Sequence, residues 1–467
     1  MTRTFRPLSN GQLLDLAGTL SVLDPATEEV LARVADCTQQ VLDATVQAAQ
    51  AAFESWRHTT QAERRERVEA LAARLKEHAD ELALLLTREQ GRPLAMAKAE
   101  VLGCVQWLRA FAQMELPVTE RTDKAGMTWT TRRVPLGVVA AIAPWNFPLM
   151  LACWKLAPAL MAGNTVIVKP SPFTPLTTLR MGELAADLFP AGVVNVLCGG
   201  DALGPRMTSH PGIAKVAFTG STATGRRVMA SAAPTLKHVT LELGGNDAAI
   251  VMPDVDVPKT ARKLFMGAFL NSGQVCVAAK RIYVHDAIYE AFAQAFAAAA
   301  KAAPMGAGTQ EGVMLGPVQN RPQYERVKEL IAATRDAGHS FLAGGDVPEG
   351  PGYFIPPTVV DNPPDDARVV VEEPFGPIVP LLRFSDVDEV VRRANDSEFG
   401  LGGSVWSGDV AQAKAIGARL ETGTVWINSV QLLDPLSPFA GRKQSGIGVE
   451  NGIEGLLEFT AVQTMVG

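Results

Sequence analysis

Little in this chain of 467 residues is arranged to hold a metal or a disulfide. Its five cysteines, Cys37, Cys104, Cys153, Cys198 and Cys276, lie far apart and are odd in number, no C-x-x-C pair occurs, and the six histidines are equally scattered. Zinc needs clustered thiolates and imidazoles, and disulfide frameworks belong to small secreted domains, so neither is expected. The thiols point instead to a reducing, cytoplasmic compartment. A surplus of one charge is also missing: 43 Lys and Arg against 49 Asp and Glu leave a net charge of −6. With no basic block or stripe, no nucleic-acid partner is expected. The opening "MTRTFRPLSNGQLLDLAG" lacks the apolar stretch of a secretory leader. One run, residues 136–168, is long enough to cross a bilayer, but Pro144, Pro148 and Pro158 with Asn146 and Lys155 inside it favour strand, loop, helix and strand in a buried core. No membrane partner is expected.

Three common nucleotide and hydrolase fingerprints are absent as well: G-x-G-x-x-G, the Walker A loop and the G-x-S-x-G elbow. What remains is an ordinary globular composition, 47% hydrophobic and 20% charged, in a chain too long for one core and therefore of two or three domains. Apolar spacing predicts helices over 40–58 and 61–90, the second ending at Gly91 with Pro93 just beyond. From 136 onward, short β-branched runs alternate with helical stretches: "GVVAAIA", "TVIVKP", "VVNVL", "KVAFTG" and "HVTLEL". After Gly244-Gly245 a second series follows, with "AAIVM", "RIYVH", "PIVPLLRF" and "TVWIN". Such alternation means α/β architecture, with two doubly wound parallel sheets covered by helices on both faces. "TWTTRRVPLG" and "EFTAVQTMVG" fit neither series and read as exposed β segments, either a solvated hairpin or a device for subunit pairing.

Several segments carry chemistry. "FTGSTATG" runs from a strand through Gly220, Ser221 and Gly225 into a helix, a turn whose glycines and free N–H groups suit a pyrophosphate. "IVKPSPFTP" ends a neighbouring strand, from which Lys169 can reach a ribose hydroxyl or a phosphate. "LELGGND" sets Glu242 at a strand end beside paired glycines, and "APWNFPL" holds Asn146 in a turn between prolines, suited to a fixed amide donor. "NSGQVC" ends in Cys276, which on these grounds alone is a nucleophile, a ligand or one more small core residue.

In their order along the chain, "PWNFP", "FTGSTATG", "LELGG", "GQVC", "EEPFGP" and "SPFAGRKQSGIG" resemble the NAD(P)-dependent aldehyde dehydrogenase superfamily across nearly the whole sequence. The resemblance implies a dinucleotide-binding domain (1–112 and 136–244), a catalytic domain (245–445) and an oligomerisation β-ribbon (113–135 and 446–467), assembled as a homodimer or homotetramer. It places Cys276 as nucleophile, Glu242 as general base, Asn146 as oxyanion donor and Lys155 near the site. For the cofactor it implies Lys169 at the adenosine ribose, Gly220, Ser221 and Gly225 at the pyrophosphate, Leu243 and Trp145 along the lining, Glu373 at the nicotinamide ribose and Phe375 beside the ring. No metal is required, because hydrogen bonds hold the oxyanion.

One position departs from the family pattern. Where many NAD-preferring members carry a glutamate that repels a 2′-phosphate, this chain has Pro172, so NAD use with NADP also accepted, Ser171 assisting Lys169, is expected. The positions matching the aldehyde tunnel are Phe147, Met150, Trp154, Leu270, Val275, Val277, Leu433 and Phe439, each of which equally suits a core. Together they make an apolar funnel without a counter-charge for an acidic aldehyde, so an uncharged aliphatic or aromatic substrate is expected. Two other readings, a CoA-acylating dehydrogenase and a catalytically retired binding protein, are disfavoured by the presence of Glu242 and of the Cys276, Glu242 and Asn146 set. No histidine lies in any motif, which argues against a Cys-His hydrolase.

Overall fold

Five short β-branched runs in the first half line up as parallel strands because a helix between each and the next returns the chain to the same edge. The computed structural model describes residues 4–467, and residues 1–3 of the first expected segment lie outside them. In the first sheet the parallel strands run Val194–Val196, Thr165–Lys169, Val138–Ile142, Lys215–Thr219 and His238–Glu242. The order reverses beside Val138–Ile142: the next strand in the chain lies on one side and Lys215–Thr219 on the other. A crevice opens beyond the carboxyl ends at such a reversal. The run 136–168 is strand, turn, helix Pro148–Met161 and strand, and no helix among the described residues is long and apolar enough to cross a membrane.

The second sheet has six parallel strands, in the order Thr358–Asp361, Ile378–Phe384, Ala279–His285, Asp247–Val251, Gly402–Trp406 and Thr424–Ile427, with Ser340–Ala343 antiparallel at one edge. Gly402–Trp406 lies within this sheet although its sequence, "GGSVW", carries a weak strand signal. The glycine is needed for close approach, since a Cβ at Gly402 would meet the Asp247 carboxylate and the Trp426 ring. The stretch 61–90 is two helices, Gln61–Glu77 and Ala79–Gln90, separated at His78, and the second ends at Gly91 with φ +97°. A further helix, Leu94–Ala112, buried along one face, follows it.

Thr128–Pro135 pairs along its length with Thr460–Val466, and Thr119–Thr122 adds a third strand. The C-terminal segment is divided differently from the expectation for 446–467. Gly446–Ile447 pairs antiparallel with His238–Glu242 at the edge of the first sheet, and only the stretch from Thr460 joins the ribbon, because helix Gly452–Leu457 turns the chain between them.

Candidate active site

The first sheet contributes carboxyl ends to the crevice and the second contributes amino ends. Val138–Ile142 runs into Trp145 and Asn146, Thr165–Lys169 ends on Lys169, Lys215–Thr219 runs into Gly220 and Ser221, and His238–Glu242 ends on Glu242. From the other side, Cys276 precedes Ala279–His285 and Glu373 precedes Ile378–Phe384. A cavity of about 140 Å³ lies where they meet, bounded by Trp145, Asn146, Glu242, Cys276, Glu373 and Phe375.

The cysteine is presented by an unusual turn. Asn271, Ser272 and Gly273 have φ of +51°, +56° and +74°, three successive left-handed residues. A Cβ at Gly273 would strike the Gly376 carbonyl, so glycine is required there for space as well as conformation. Side-chain amides hold the turn: Asn271 Nδ2 donates to the Asn146 carbonyl at 3.2 Å, and Gln274 Nε2 donates to the Asn271 carbonyl at 2.8 Å. Asn146 is 3% exposed. Its Nδ2 donates one N–H to the Gln274 carbonyl at 3.1 Å, and of its two amide hydrogens one is left to face the cavity.

Residues that sequence reasoning passed over brace this turn. The Arg92 guanidinium donates to the Asn146 carbonyl, pairs with Glu100 and stacks 4.2 Å over the Phe147 ring. Glu100 Oε1 in turn accepts from the N–H groups of Leu149 and Met150 at 3.1 and 3.0 Å, completing the start of helix Pro148–Met161. Lys280 binds three things at once: the Cys276 carbonyl at 2.6 Å, the Gly245 carbonyl at 2.7 Å and Glu373 Oε1 at 2.8 Å. Lys280, closing the apolar run 275–279, carried a faint signal; Arg92, in the polar turn "REQGRP", carried none.

The ionisable groups are placed where charge is costly. Both Glu242 carboxylate oxygens are buried without a hydrogen-bond partner. Burial first, and the neighbouring Glu450 second, hold this carboxyl well above its ordinary range, against the pull of Lys155. Burial likewise pushes the Cys276 thiol up; Glu242 adds to the rise and Lys280 opposes it. Lys155 is fully buried and contacts neither of them by hydrogen bond, donating instead to Thr219 Oγ1 at 2.6 Å and Glu450 Oε1 at 2.7 Å.

Along the crevice, Ser221 caps helix Thr222–Ala232, its hydroxyl accepting from Thr224 N–H at 3.3 Å, and Gly220 N–H donates to the Glu242 carbonyl at 3.1 Å. Gly225 lets that helix rest on Leu243, which a Cβ would overlap. Lys169 is 6% exposed, and its one hydrogen bond among the described residues goes to the Pro170 carbonyl at 3.3 Å, an incomplete set for a buried ammonium. Ser171 is buried, its hydroxyl accepting from Phe173 N–H. Glu373 Oε1 also accepts from Gly245 N–H at 3.1 Å, while Oε2 lies over the bare Gly244. Phe375, at φ +46°, sets its ring edge-on to Trp145 with centroids 5.3 Å apart.

Most funnel positions fall in one apolar cluster that includes Cys276: Trp154, Val275, Val277 and Phe439 buried, with Phe147, Met150 and Leu433 partly exposed. Trp154 stacks on Trp107 at 5.5 Å and meets Phe439 edge-on at 5.9 Å. Trp107, on helix Leu94–Ala112, was not anticipated. Leu270 stands apart, lining a separate outer groove.

A sequence profile of the aldehyde dehydrogenase family matches residues 15–465. An aldehyde dehydrogenase of Fusarium is 41% identical over 98% of this chain and 97% of its own length. Phenylacetaldehyde dehydrogenase of Pseudomonas fluorescens is 41% identical over 96% of this chain and 92% of the relative. An NAD+ complex of aldehyde dehydrogenase from Bacillus cereus superposes with a TM-score of 0.97 at 37% identity, covering 100% of this chain and 96% of that one.

Proposed function

The chain belongs to the aldehyde dehydrogenase family, and on that premise we propose that it oxidises an aliphatic or aromatic aldehyde, uncharged along the part that fills the funnel, to the acid through a thiohemiacetal and a thioester on Cys276. The observation that carries this reading is the convergence of Cys276, Glu242 and Asn146 on one cavity. NAD fits the crevice on the chain's own features. Lys169 has donors to spare for a ribose, the start of helix Thr222–Ala232 suits a pyrophosphate, and Glu373 Oε2 is free over Gly244 for the second ribose. When bound, the nicotinamide supplies the hydride acceptor that turns the thiohemiacetal into the thioester.

The protein's own residues do the rest. The Cys276 thiol releases its proton to solvent water, and the thiolate attacks the aldehyde carbon. The remaining Asn146 amide hydrogen and the Cys276 N–H receive the oxyanion, already aimed and shielded from water. After oxidation Glu242 deprotonates a water, which attacks the thioester, releases the acid and restores the thiol. Asn146→Ala is expected to lower kcat by about 10²- to 10³-fold with a smaller change in KM, the signature of a donor used mainly in the transition state. Steady-state kinetics check it, and an unchanged kcat removes Asn146 from the oxyanion site.

The reaction is tested by NAD reduction across a panel of aldehydes, with acid identified as product. Preference for a short anionic semialdehyde overturns the uncharged-substrate reading. With Pro172 where a repelling glutamate is common, NADP is expected to serve as well, with a selectivity for NAD below about a thousandfold, some 4 kcal/mol. Paired kcat/KM values for the two cofactors measure this. For assembly, the exposed ribbon strands Thr119–Thr122 and Thr460–Val466 favour pairing of copies into a homodimer or homotetramer, and the five unpaired thiols favour a cytoplasmic location.

A further inference from the structure

Outside the segment that leads to Cys276 lies a second concavity, a groove of about 740 Å³. One wall is helix Val257–Phe269 with Leu270 following it; the other is the segment 429–431 with Trp406. Its floor is apolar, from Met266, Leu270, Trp406 and Val430. Lys259, Arg262 and Lys263 stand at spacings of three and four, so they share one face of the helix. No acid lines the groove, and no ion pair among the described residues involves any of the three cations. Asp256 on the same helix is engaged as its N-cap, accepting from Lys259 N–H at 3.1 Å. Lys263 leans over the Trp406 ring, 5.9 Å from its centroid, and its Nζ lies 3.4 Å from the Asn428 carbonyl. In a chain of net charge −6, three uncompensated cations around an apolar floor describe a site for an amphiphilic anion.

Both walls of the groove continue toward the reacting sulfur. Leu270 opens the left-handed turn that ends at Cys276, six residues away, a span of no more than about 20 Å even if fully extended. Opposite it, Gln431 Nε2 donates to the Gly267 carbonyl at 2.7 Å, and Leu433, two residues on, packs in the apolar cluster that contains Phe147, Met150 and Cys276.

We infer that the groove is the outer reach of the aldehyde site and that Lys259, Arg262 and Lys263 select aldehydes whose extended apolar chain ends in a carboxylate. The inference rests on the reaction proposed above. It is compatible with rejection of short semialdehydes, whose carboxylate would be stranded among Phe147, Trp154 and Phe439. Only a chain long enough to pass Leu270 brings its charge to the helix.

The test compares a medium-chain aldehyde bearing a terminal carboxylate with its methyl ester, in the wild type and in Arg262→Gln/Lys263→Gln and Lys259→Gln variants, all on an exposed helix face. In the wild type the carboxylate is expected to have a kcat/KM about tenfold above the ester, a ratio that shrinks as salt screens the rim and falls toward one in the double variant. A wild-type ratio near one, or a ratio indifferent to both variants and to salt, overturns the inference. Calorimetric titration with the corresponding dicarboxylate product needs no turnover: tighter binding than its monoester, lost in the double variant, supports the anion site, and equal binding overturns it. If neither aldehyde is oxidised, the proposed reaction fails while the binding measurement still decides the groove.

Discussion

Cys276→Ala is expected to lower kcat/KM for aldehyde oxidation by on the order of 10⁴-fold or more, because no second group in the cavity can form the covalent adduct. The other four thiols, Cys37, Cys104, Cys153 and Cys198, are buried and line no part of the cavity. A serine in the same place is no substitute: its hydroxyl is far less acidic than a thiol, and a carboxylate is too weak a base to generate the alkoxide. The truncation removes one sulfur from a partly exposed position, so folding stability is expected to change by about 1 kcal/mol or less. Cofactor binding is expected to persist, since the crevice from Lys169 to Ser221 is untouched. Intact-mass spectrometry of the wild type during turnover is expected to register an acyl adduct on Cys276 that the variant lacks. Activity above about one per cent in the alanine variant would transfer the nucleophile's role elsewhere.

The parts of this site that local pattern reveals are those whose position follows from a strand end. Glu242, Lys169 and the Gly220-Ser221 turn each close a run of β-branched residues, and parallel pairing then brings those ends to one edge. Asn146 follows the same logic through the turn after Val138–Ile142. The alternation of strands and helices was equally legible, because burial on both faces makes each strand nearly continuous in apolar residues. What stayed hidden depends on contacts between distant segments. Arg92 reaches Asn146 across 54 positions and Lys155 reaches Glu450 across 295; no periodicity encodes such pairs. Lys280 looks like the first polar residue of a strand until its three acceptors converge. The strand Gly402–Trp406 was masked by its own glycines, present for packing against Asp247 and Trp426 and weak as β formers. The left-handed turn before Cys276 had only Gly273 as a visible marker, since Asn271 and Ser272 adopt positive φ under tertiary constraint.

Glu242→Gln is expected to separate the two halves of the reaction. The carboxyl's negative charge raises the Cys276 thiol, so replacing it with a neutral amide eases thiolate formation while leaving no base for water. A burst of reduced cofactor, stoichiometric with enzyme, is therefore expected, followed by a steady rate about 10²- to 10⁴-fold below wild type. Rapid-mixing absorbance measures both phases; an unaltered steady rate would remove Glu242 from hydrolysis. The pH dependence has a definite sign. A base must be deprotonated to act, and because burial and Glu450 raise this carboxyl above its ordinary value of 4.5, wild-type kcat should climb with pH over a limb displaced upward from the usual carboxylate range. The glutamine variant should lose that limb. Stability runs the other way. Folded protein holds this proton more tightly than unfolded chain does, so wild-type stability falls as pH rises from the ordinary carboxylate value toward the raised one. Across that window Glu242→Gln is expected to gain thermal stability relative to wild type, and the gain to vanish at acid pH where the glutamate is protonated in both states. Melting temperatures recorded against pH give this difference directly. A variant that is slower and yet more stable, by an amount that grows with pH, is the result expected of a carboxyl buried without a partner because catalysis requires it there.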